Sequence, residues 1–248
     1  KKKKQGSVLI EKRNRKGYLY LLPWIIGFLV FQLYPIAMSF FYSLTDYSFG
    51  SNFSLVGLAN YFNIFKLDKE VKNSLLVTFK FVLMSVPMKL LSALIIAMLL
   101  NQSIIGIFRT VYYLPSILGG SVAVAILWRH LFDLNGVVNH LLNKLGIESI
   151  GFLTNPKVAL TTISMLSVWQ FGSSMLFFLS ALKQVPKSLY EAAKIDGAGP
   201  VRSFFKITLP MISPMTLFNL IMQMINAFQE YTAPAVITGG GPVKKTQV

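Results

Sequence analysis

Cysteine is absent from this 248-residue sequence, and acidic residues are scarce, with only 9 Asp and Glu in total. The absence of Cys excludes a disulfide-stabilised scaffold and any thiol chemistry. Charged residues make up 13% of the chain, about half the share that is usual in soluble domains. A soluble globule of this composition could not cover its surface with polar groups, and disordered, collagen-like and coiled-coil chains are excluded by the same balance.

Apolar residues are abundant instead, at 54% of the chain, and the mean hydropathy is +0.57. This balance predicts a polytopic membrane protein. The formal net charge of +15 would suggest nucleic-acid binding in a soluble protein. In a membrane protein the same excess is typical of basic loops on one side of the bilayer, so we predict a lipid bilayer as the surroundings and no nucleic-acid partner.

Five stretches have the length and hydropathy of a membrane-spanning helix, which needs roughly 20 mostly apolar residues. They are residues 18–44, 73–100, 110–128, 158–182 and 207–236. A lone strand cannot satisfy its backbone polar groups in lipid, so all five are predicted to be helices and the fold class is all-α. The first stretch is too long for a cleaved signal peptide, and no small-x-small cleavage site follows it.

Lys and Arg are distributed unequally between the two sides of this arrangement. Fourteen lie in the N-terminus and in the connections after the second and fourth spans, whereas seven lie on the opposite side, in residues 45–72, 131–157 and 237–248. Because basic residues favour the cytoplasmic side, we predict a cytoplasmic N-terminus. The chain then divides into a basic segment, residues 1–17, and a transmembrane domain, residues 18–248.

The cytoplasmic connection at residues 183–206 carries an unusual amount of local structure. Pro186 suits the first position of a helix, and the following segment, KSLYEAAKID, favours a short helix. Gly197 suits the left-handed position that ends a helix. Gly199 and Pro200 then begin a second short helix that leads into the fifth span. The small residues and rim charges of this helix–turn–helix suit the docking of a soluble partner.

These residues resemble the EAA loop of binding-protein-dependent ABC importer permeases of the carbohydrate-uptake branch. The matching motifs in chain order are Leu99-Leu100-Asn101-Gln102, Phe108-Arg109-Thr110, Tyr113-Leu114-Pro115, Trp128-Arg129, Glu191-Ala192-Ala193, Asp196-Gly197-Ala198, Ile207-Thr208-Leu209-Pro210, Phe228-Gln229-Glu230 and Thr238-Gly239-Gly240-Gly241-Pro242. Each motif is weak alone, but their order and spacing are specific. The resemblance implies a six-span core, of which five spans are visible, with a sixth helix expected after the Gly-Gly-Gly-Pro stretch.

The resemblance also implies partners and a mechanism. Such a permease forms a heterodimer with a second permease in the bacterial cytoplasmic membrane, two cytoplasmic ATPases dock on the EAA loops, and an extracytoplasmic binding protein delivers a sugar or oligosaccharide. The coupling element would comprise Glu191, Ala192, Ala193, Asp196 and Gly197. The simpler alternative is a surface helix that only connects two spans.

Polar side chains in the fourth and fifth spans are the candidates for the substrate pathway. They are Trp169, Gln170 and Ser173, and then Asn219, Gln223, Asn226 and Glu230. The last four share one helix face and could bind sugar hydroxyls, or they could bond to a helix of the second permease instead. Trp169 could stack on a sugar ring or simply pack. Lys89, deep in the second span, either extends towards the interface or faces the pathway, where it would favour an acidic sugar.

The sequence contains no arrangement that supports catalysis, so an enzyme is not predicted. Gly239 to Thr246 approaches a phosphate-binding loop, but Lys244 replaces a required Gly and no strand precedes it. ATP and magnesium are therefore expected on the partner ATPase, with no cofactor in this chain. His130 and His140 lack nearby ligands for a metal site. Alternative functions are import of glycerol phosphate or a uronate oligosaccharide, or an ion-coupled secondary carrier, although no inverted repeat is visible.

Overall fold

The computed structural model describes residues 17–48, 53–102 and 106–248. Within these ranges the regular structure is helical, and the only β-type pairing is an isolated bridge between Thr45 and Leu55. The all-α prediction is confirmed. The basic N-terminal segment predicted at residues 1–17 lies outside the described residues, apart from Gly17. The chain divides into two compact units, residues 1–69 and 70–248.

The helices are numbered in chain order. The first unit contains α1, Gly17–Ser43, with a π-helical turn at Leu29–Leu33, and α2, Ala59–Phe62, which continues as a π-helical turn at Asn63–Leu67. The second unit, apart from the first residue of α3, contains α3 (Lys69–Gln102), α4 (Ile107–Leu118), α5 (Val122–Leu131), α6 (Val137–Lys144), α7 (Ala159–Trp169), α8 (Gly172–Gln184), α9 (Lys187–Ile195), α10 (Pro200–Phe228) and α11 (Thr232–Thr238).

Helices α1, α3 and α10 are each long and apolar enough to cross a membrane. Two further pairs, α4 with α5 and α7 with α8, meet the same test together but are bent by 99° and 48°. Counting each bent pair as one span gives five spans. The five stretches of the sequence therefore correspond to helices or bent helix pairs.

The first unit contains α1 and the segment that follows it. The apolar side chains of α1 are exposed, as expected for a helix that lies against lipid or another subunit. After α1 the chain turns back, and the backbone N–H and hydroxyl of Ser54 donate to the carboxylate of Asp46. These two hydrogen bonds hold the pKa of Asp46 below its usual value.

The third span differs from the single helix predicted at residues 110–128. The chain forms α4, breaks at Gly119 and Gly120, and restarts as α5 at a bend of 99°. The hydroxyl of Ser121 accepts a hydrogen bond from Val124 N–H and caps the new helix. Two glycines followed by a capping serine favour this break, because glycine destabilises a helix interior.

The fifth span begins earlier and ends earlier than the predicted stretch of residues 207–236. The second short helix of the connection at residues 183–206 is continuous with it, so α10 begins at Pro200 and ends at Phe228. A π-helical turn at Phe204–Thr208 lies just before Pro210. Because proline has no N–H and its ring crowds the preceding turn, a local change of helix geometry is expected there.

The second unit has a core between its long helices. Small side chains on α3, Ala93 and Ala97, are fully buried and allow close approach of α8 and α10. Phe178 and Ile212 fill the space opposite them. This packing fixes the mutual positions of α3, α8 and α10, whose polar faces form the site described next.

Candidate functional site

A cavity of about 380 Å³ lies between the breaks of the two bent helix pairs and the polar faces of α3 and α10. We call it the central cavity. Five of the seven residues predicted for a substrate pathway line it: Gln170, Ser173, Gln223, Asn226 and Glu230. The structure thus brings together residues from two spans that are separated by 50 or more positions in the sequence. The volume of the cavity falls in the range of small-molecule sites.

The two helix breaks are joined by hydrogen bonds at the edge of the cavity. Ser116 Oγ on α4 donates to the carbonyl of Gln170 at 2.9 Å and accepts from the N–H of Ser173 at 3.0 Å. Gln170 Nε2 donates to the carbonyl of Gly119 at 2.8 Å. A break leaves backbone groups without partners inside the helix, and these bonds satisfy them. The bends are therefore fixed against each other.

Two glycines make this close approach possible. A Cβ atom at Gly119 would overlap the side-chain carbons of Gln170. A Cβ atom at Gly172 would lie 2.5 Å from the carbonyl oxygen of Tyr112 and 2.8 Å from the Cα of Tyr113. Both added atoms would lie well inside van der Waals contact, so the two bent pairs can touch there only because Gly119 and Gly172 have no side chain.

The other two predicted pathway residues, Trp169 and Asn219, lie outside the lining of the central cavity. The indole of Trp169 packs near Trp128, with ring centroids 6.2 Å apart. Asn219 is fully buried, and its Nδ2 donates to the carbonyl of Ser174 at 3.2 Å. Asn219 thus links α10 to α8 within this chain.

Two charged side chains line the central cavity. Lys89 of α3, half-buried, and Glu230, which follows α10, both line it. One Glu230 oxygen, Oε1, accepts a hydrogen bond from the N–H of Ala233 at 3.0 Å, at the start of α11. Lys89 makes no ion pair or hydrogen bond with any described residue. The side chain of Lys89 therefore faces the central cavity.

Four polar residues of the cavity lining were not predicted from the sequence. They are Ser85, Ser116 and Ser167, together with Gln229. Serine in an apolar helix gives a weak signal, since its hydroxyl often bonds to the preceding turn. Ser85 could have been found through its spacing, because it precedes Lys89 by four residues and shares its helix face.

The predicted coupling element forms the second part of the site, and its helix is α9. Gly197 has φ of +73°, as expected for the left-handed residue that ends a helix. Its N–H donates to the carbonyl of Lys194 at 3.1 Å. The N–H of Ala198 donates to the carbonyl of Ala193 at 2.8 Å, which completes a Schellman motif. Pro186 lies at the N-cap position, directly before the first residue of α9, instead of at the predicted first helical position.

Exposure separates the two faces of α9. Glu191, Ala192, Asp196 and Gly197 are exposed, and Ala193 is half-buried. On the inner face, the hydroxyls of Tyr190 and Thr208 are hydrogen-bonded at 2.8 Å. The exposed face is accessible to a partner, while the inner face is hydrogen-bonded to the π-helical turn of α10.

Comparisons with known proteins agree with this architecture. The model of the family described as "Binding-protein-dependent transport system inner membrane component" matches residues 63–248. The probable ABC transporter permease protein YesP of Bacillus subtilis (strain 168) is 49% identical over 242 residues, which cover 96% of this chain and 78% of that protein. The sn-glycerol-3-phosphate transport system permease protein UgpA of Yersinia pestis is 38% identical over 236 residues, which cover 92% and 79%.

Solved structures share the fold. A chain of a bacterial ABC transporter involved in the import of the acidic polysaccharide alginate has a TM-score of 0.74 at 24% identity, over 95% of this chain and 81% of that chain. A chain of the alginate transporter in complex with an alginate pentasaccharide-bound periplasmic protein has a TM-score of 0.72 at 25% identity, over 95% and 80%. The chain therefore belongs to the family of binding-protein-dependent transport system inner membrane components and is an integral membrane permease subunit of an ABC transporter.

Proposed function

We propose that this chain forms half of the translocation pathway of an ATP-driven importer for a sugar or oligosaccharide. The observation that carries the proposal is the central cavity, where side chains from α3, α4, α7, α8 and α10, all from helices of the predicted spans, converge. Polar side chains in spans are costly and commonly face a pathway. Neutral amides such as those of Gln223 and Asn226 both donate and accept hydrogen bonds, as sugar hydroxyls do.

The known relatives support a solute of this general kind. UgpA is named for the transport of sn-glycerol 3-phosphate, and the alginate transporter for import of an acidic polysaccharide. Both solutes carry several oxygen atoms that accept hydrogen bonds. Membership of the ABC permease family opposes the alternative of an ion-coupled secondary carrier.

Energy would reach the pathway through the exposed face of α9. In the proposed assembly a second permease completes the pathway, and a separate ATPase, which binds ATP and magnesium, docks on each permease at its coupling element. An extracytoplasmic binding protein would deliver the solute. The excess of Lys and Arg supports a cytoplasmic position for the N-terminus and α9, on the side of the ATPase. The bond between Tyr190 and Thr208 would transmit movement of α9 to α10.

The polar face of α10 provides a test of the pathway. Replacing Gln223 and Asn226 together by Leu removes two amides that line the cavity and keeps similar volume. We expect uptake by whole cells at limiting substrate to fall by roughly tenfold or more, because each lost hydrogen bond to solute is worth about 1 kcal/mol. The measurement is the initial rate of labelled-sugar uptake, normalised to the amount of permease in the membrane.

A matched control is Met222→Leu, on the same helix but outside the cavity lining, which should leave uptake unchanged. If the double variant transports at the rate of the unaltered chain, the polar face does not contact the solute. The cavity would then be a packing feature and the proposed pathway would lie elsewhere.

A further inference from the structure

The proposed function does not specify whether the solute is charged, and the charged side chains of the cavity bear on this question. Among the described residues that line the cavity, Lys89 and Glu230 are the charged ones. The two are not equivalent, because a Glu230 oxygen already accepts the N–H of Ala233, whereas Lys89 has neither an ion pair nor a hydrogen bond within the described chain.

Lys89 is also deep in its helix. It lies about 5 Å along the axis from the midpoint of α3, at a rise of about 1.5 Å per residue. A cation at such depth is costly unless it is paired or faces a polar cavity, and a charge kept at this cost usually has a functional role. Reaching the interface along the helix would require the side chain to turn away from the cavity that it lines.

Ser85 supplies an independent observation at the same place. Its side chain is 1% exposed and lines the cavity, and its Oγ has no hydrogen-bond partner among the described residues. A buried hydroxyl without a partner is unfavourable, so a group that accepts a hydrogen bond from it would stabilise this end of the cavity. Ser85 and Lys89 are four residues apart on one face of α3, which directs both donors to the same region.

On these grounds we propose that the Lys89 end of the central cavity binds the anionic group of a polyhydroxylated solute, a carboxylate or a phosphate. This inference rests on the proposed pathway and deepens it by naming a substrate class. The ammonium group of Lys89 and the hydroxyl of Ser85 donate to the anion. The amides of Gln223 and Asn226 are left for the hydroxyl groups of the same solute.

The test measures binding to the whole transporter, purified with its partner subunits and placed in lipid nanodiscs. Three probes are titrated by calorimetry: digalacturonate, its dimethyl ester and sn-glycerol 3-phosphate. The ester keeps the hydroxyl groups and removes the charge, so it isolates the contribution of the anion. We expect at least one anionic probe to bind roughly 10- to 100-fold more tightly than the ester, the range expected of one charge-assisted hydrogen bond.

Lys89→Gln should abolish this preference, and Lys89→Arg should retain most of it because the positive charge remains. Lys80→Gln is the matched control: it removes a charge from the same helix at an exposed position outside the cavity lining, so the preference should persist. The thermal midpoint of each complex shows whether a variant has lost its fold, and Lys89→Arg provides a folded comparison.

The results distinguish failure of this inference from failure of the proposed function. Binding of both anionic probes no tighter than binding of the ester, or an anion preference that survives in Lys89→Gln, overturns the anion site but keeps a carbohydrate pathway. Binding of no probe at all overturns the anion site, while the uptake measurement on the polar face of α10 judges the pathway separately. Preference for the phosphate alone identifies the anion as a phosphate.

Discussion

Gly197→Pro is expected to abolish transport while leaving the permease in the membrane. Proline fixes φ near −65°, whereas this position has φ of +73°, and proline lacks the N–H that bonds to Lys194. The Schellman end of α9 cannot form, because a proline at an incompatible φ and without the required N–H destabilises the fold by more than about 1 kcal/mol. The exposed face that we propose for ATPase docking would be displaced, and uptake should fall to the background of cells that lack the permease.

The matched control is Gly199→Ala, two residues along the chain. This glycine has φ of −72° and open space where a Cβ would lie, so alanine should fit without strain. The measurements are cell uptake, the amount of permease in the membrane, and ATPase activity of the purified complex. Normal uptake by Gly197→Pro would show that the geometry of α9 does not couple ATP hydrolysis to transport.

Gly172→Ala should have the second large effect, and it acts on the fold of the cavity. The added Cβ would lie 2.5 Å from the carbonyl oxygen of Tyr112, and 2.9 Å from Ser116 Oγ. Backbone atoms cannot move aside as a flexible side chain can, so α8 must shift away from α4. We expect a loss of about 1–3 kcal/mol of stability, as for other overpacked cores, and a loss of uptake as the Ser116 bonds to Gln170 and Ser173 lengthen.

Gly106→Ala, just before α4, provides the control because, among the described residues beyond its chain neighbours, no atom lies within 4 Å of a Cβ at this position. The thermal midpoint of the detergent-purified protein and its uptake rate are measured for both variants. A Gly172→Ala protein with an unchanged thermal midpoint would contradict the close contact of the two helix breaks.

Much of the fold follows directly from the sequence. Long apolar stretches and the small share of charge predicted an all-α membrane protein, and the order of the EAA-loop motifs predicted the permease family, which the family match confirms. Gly197 marked the end of α9 correctly, because the φ value that it adopts is accessible to few other residues. These signals are local in the chain, so they do not depend on tertiary packing.

The helix breaks were harder to predict, because hydropathy does not register a bend. Gly119 and Gly120 lie in an apolar stretch that meets the length of one span, yet the chain turns by 99° there. The break is stabilised by Gln170, which comes 51 residues later and bonds to the carbonyl of Gly119. A contact at this separation has no signature in local periodicity.

In the candidate site, too, the sequence predicted some features and not others. The spacing of Gln223, Asn226 and Glu230 placed them on one helix face, and all three line the cavity. Asn219 belongs to the same sequence pattern but bonds to the carbonyl of Ser174 on α8 instead. Helical spacing thus predicts which residues share a face, whereas burial by neighbouring helices determines what each one contacts.

Cross-linking from α9 tests most directly whether this chain couples to an ATPase. The chain contains no Cys, so Ala192→Cys introduces a single exposed thiol on the proposed docking face, and Leu145→Cys places one on the side predicted to face outwards. A bifunctional thiol reagent is applied to native membranes, and the products are identified by mass spectrometry. We predict that Ala192→Cys captures a P-loop ATPase and that Leu145→Cys does not. Absence of an ATPase adduct from Ala192→Cys, or equal capture from both positions, would contradict the proposed coupling.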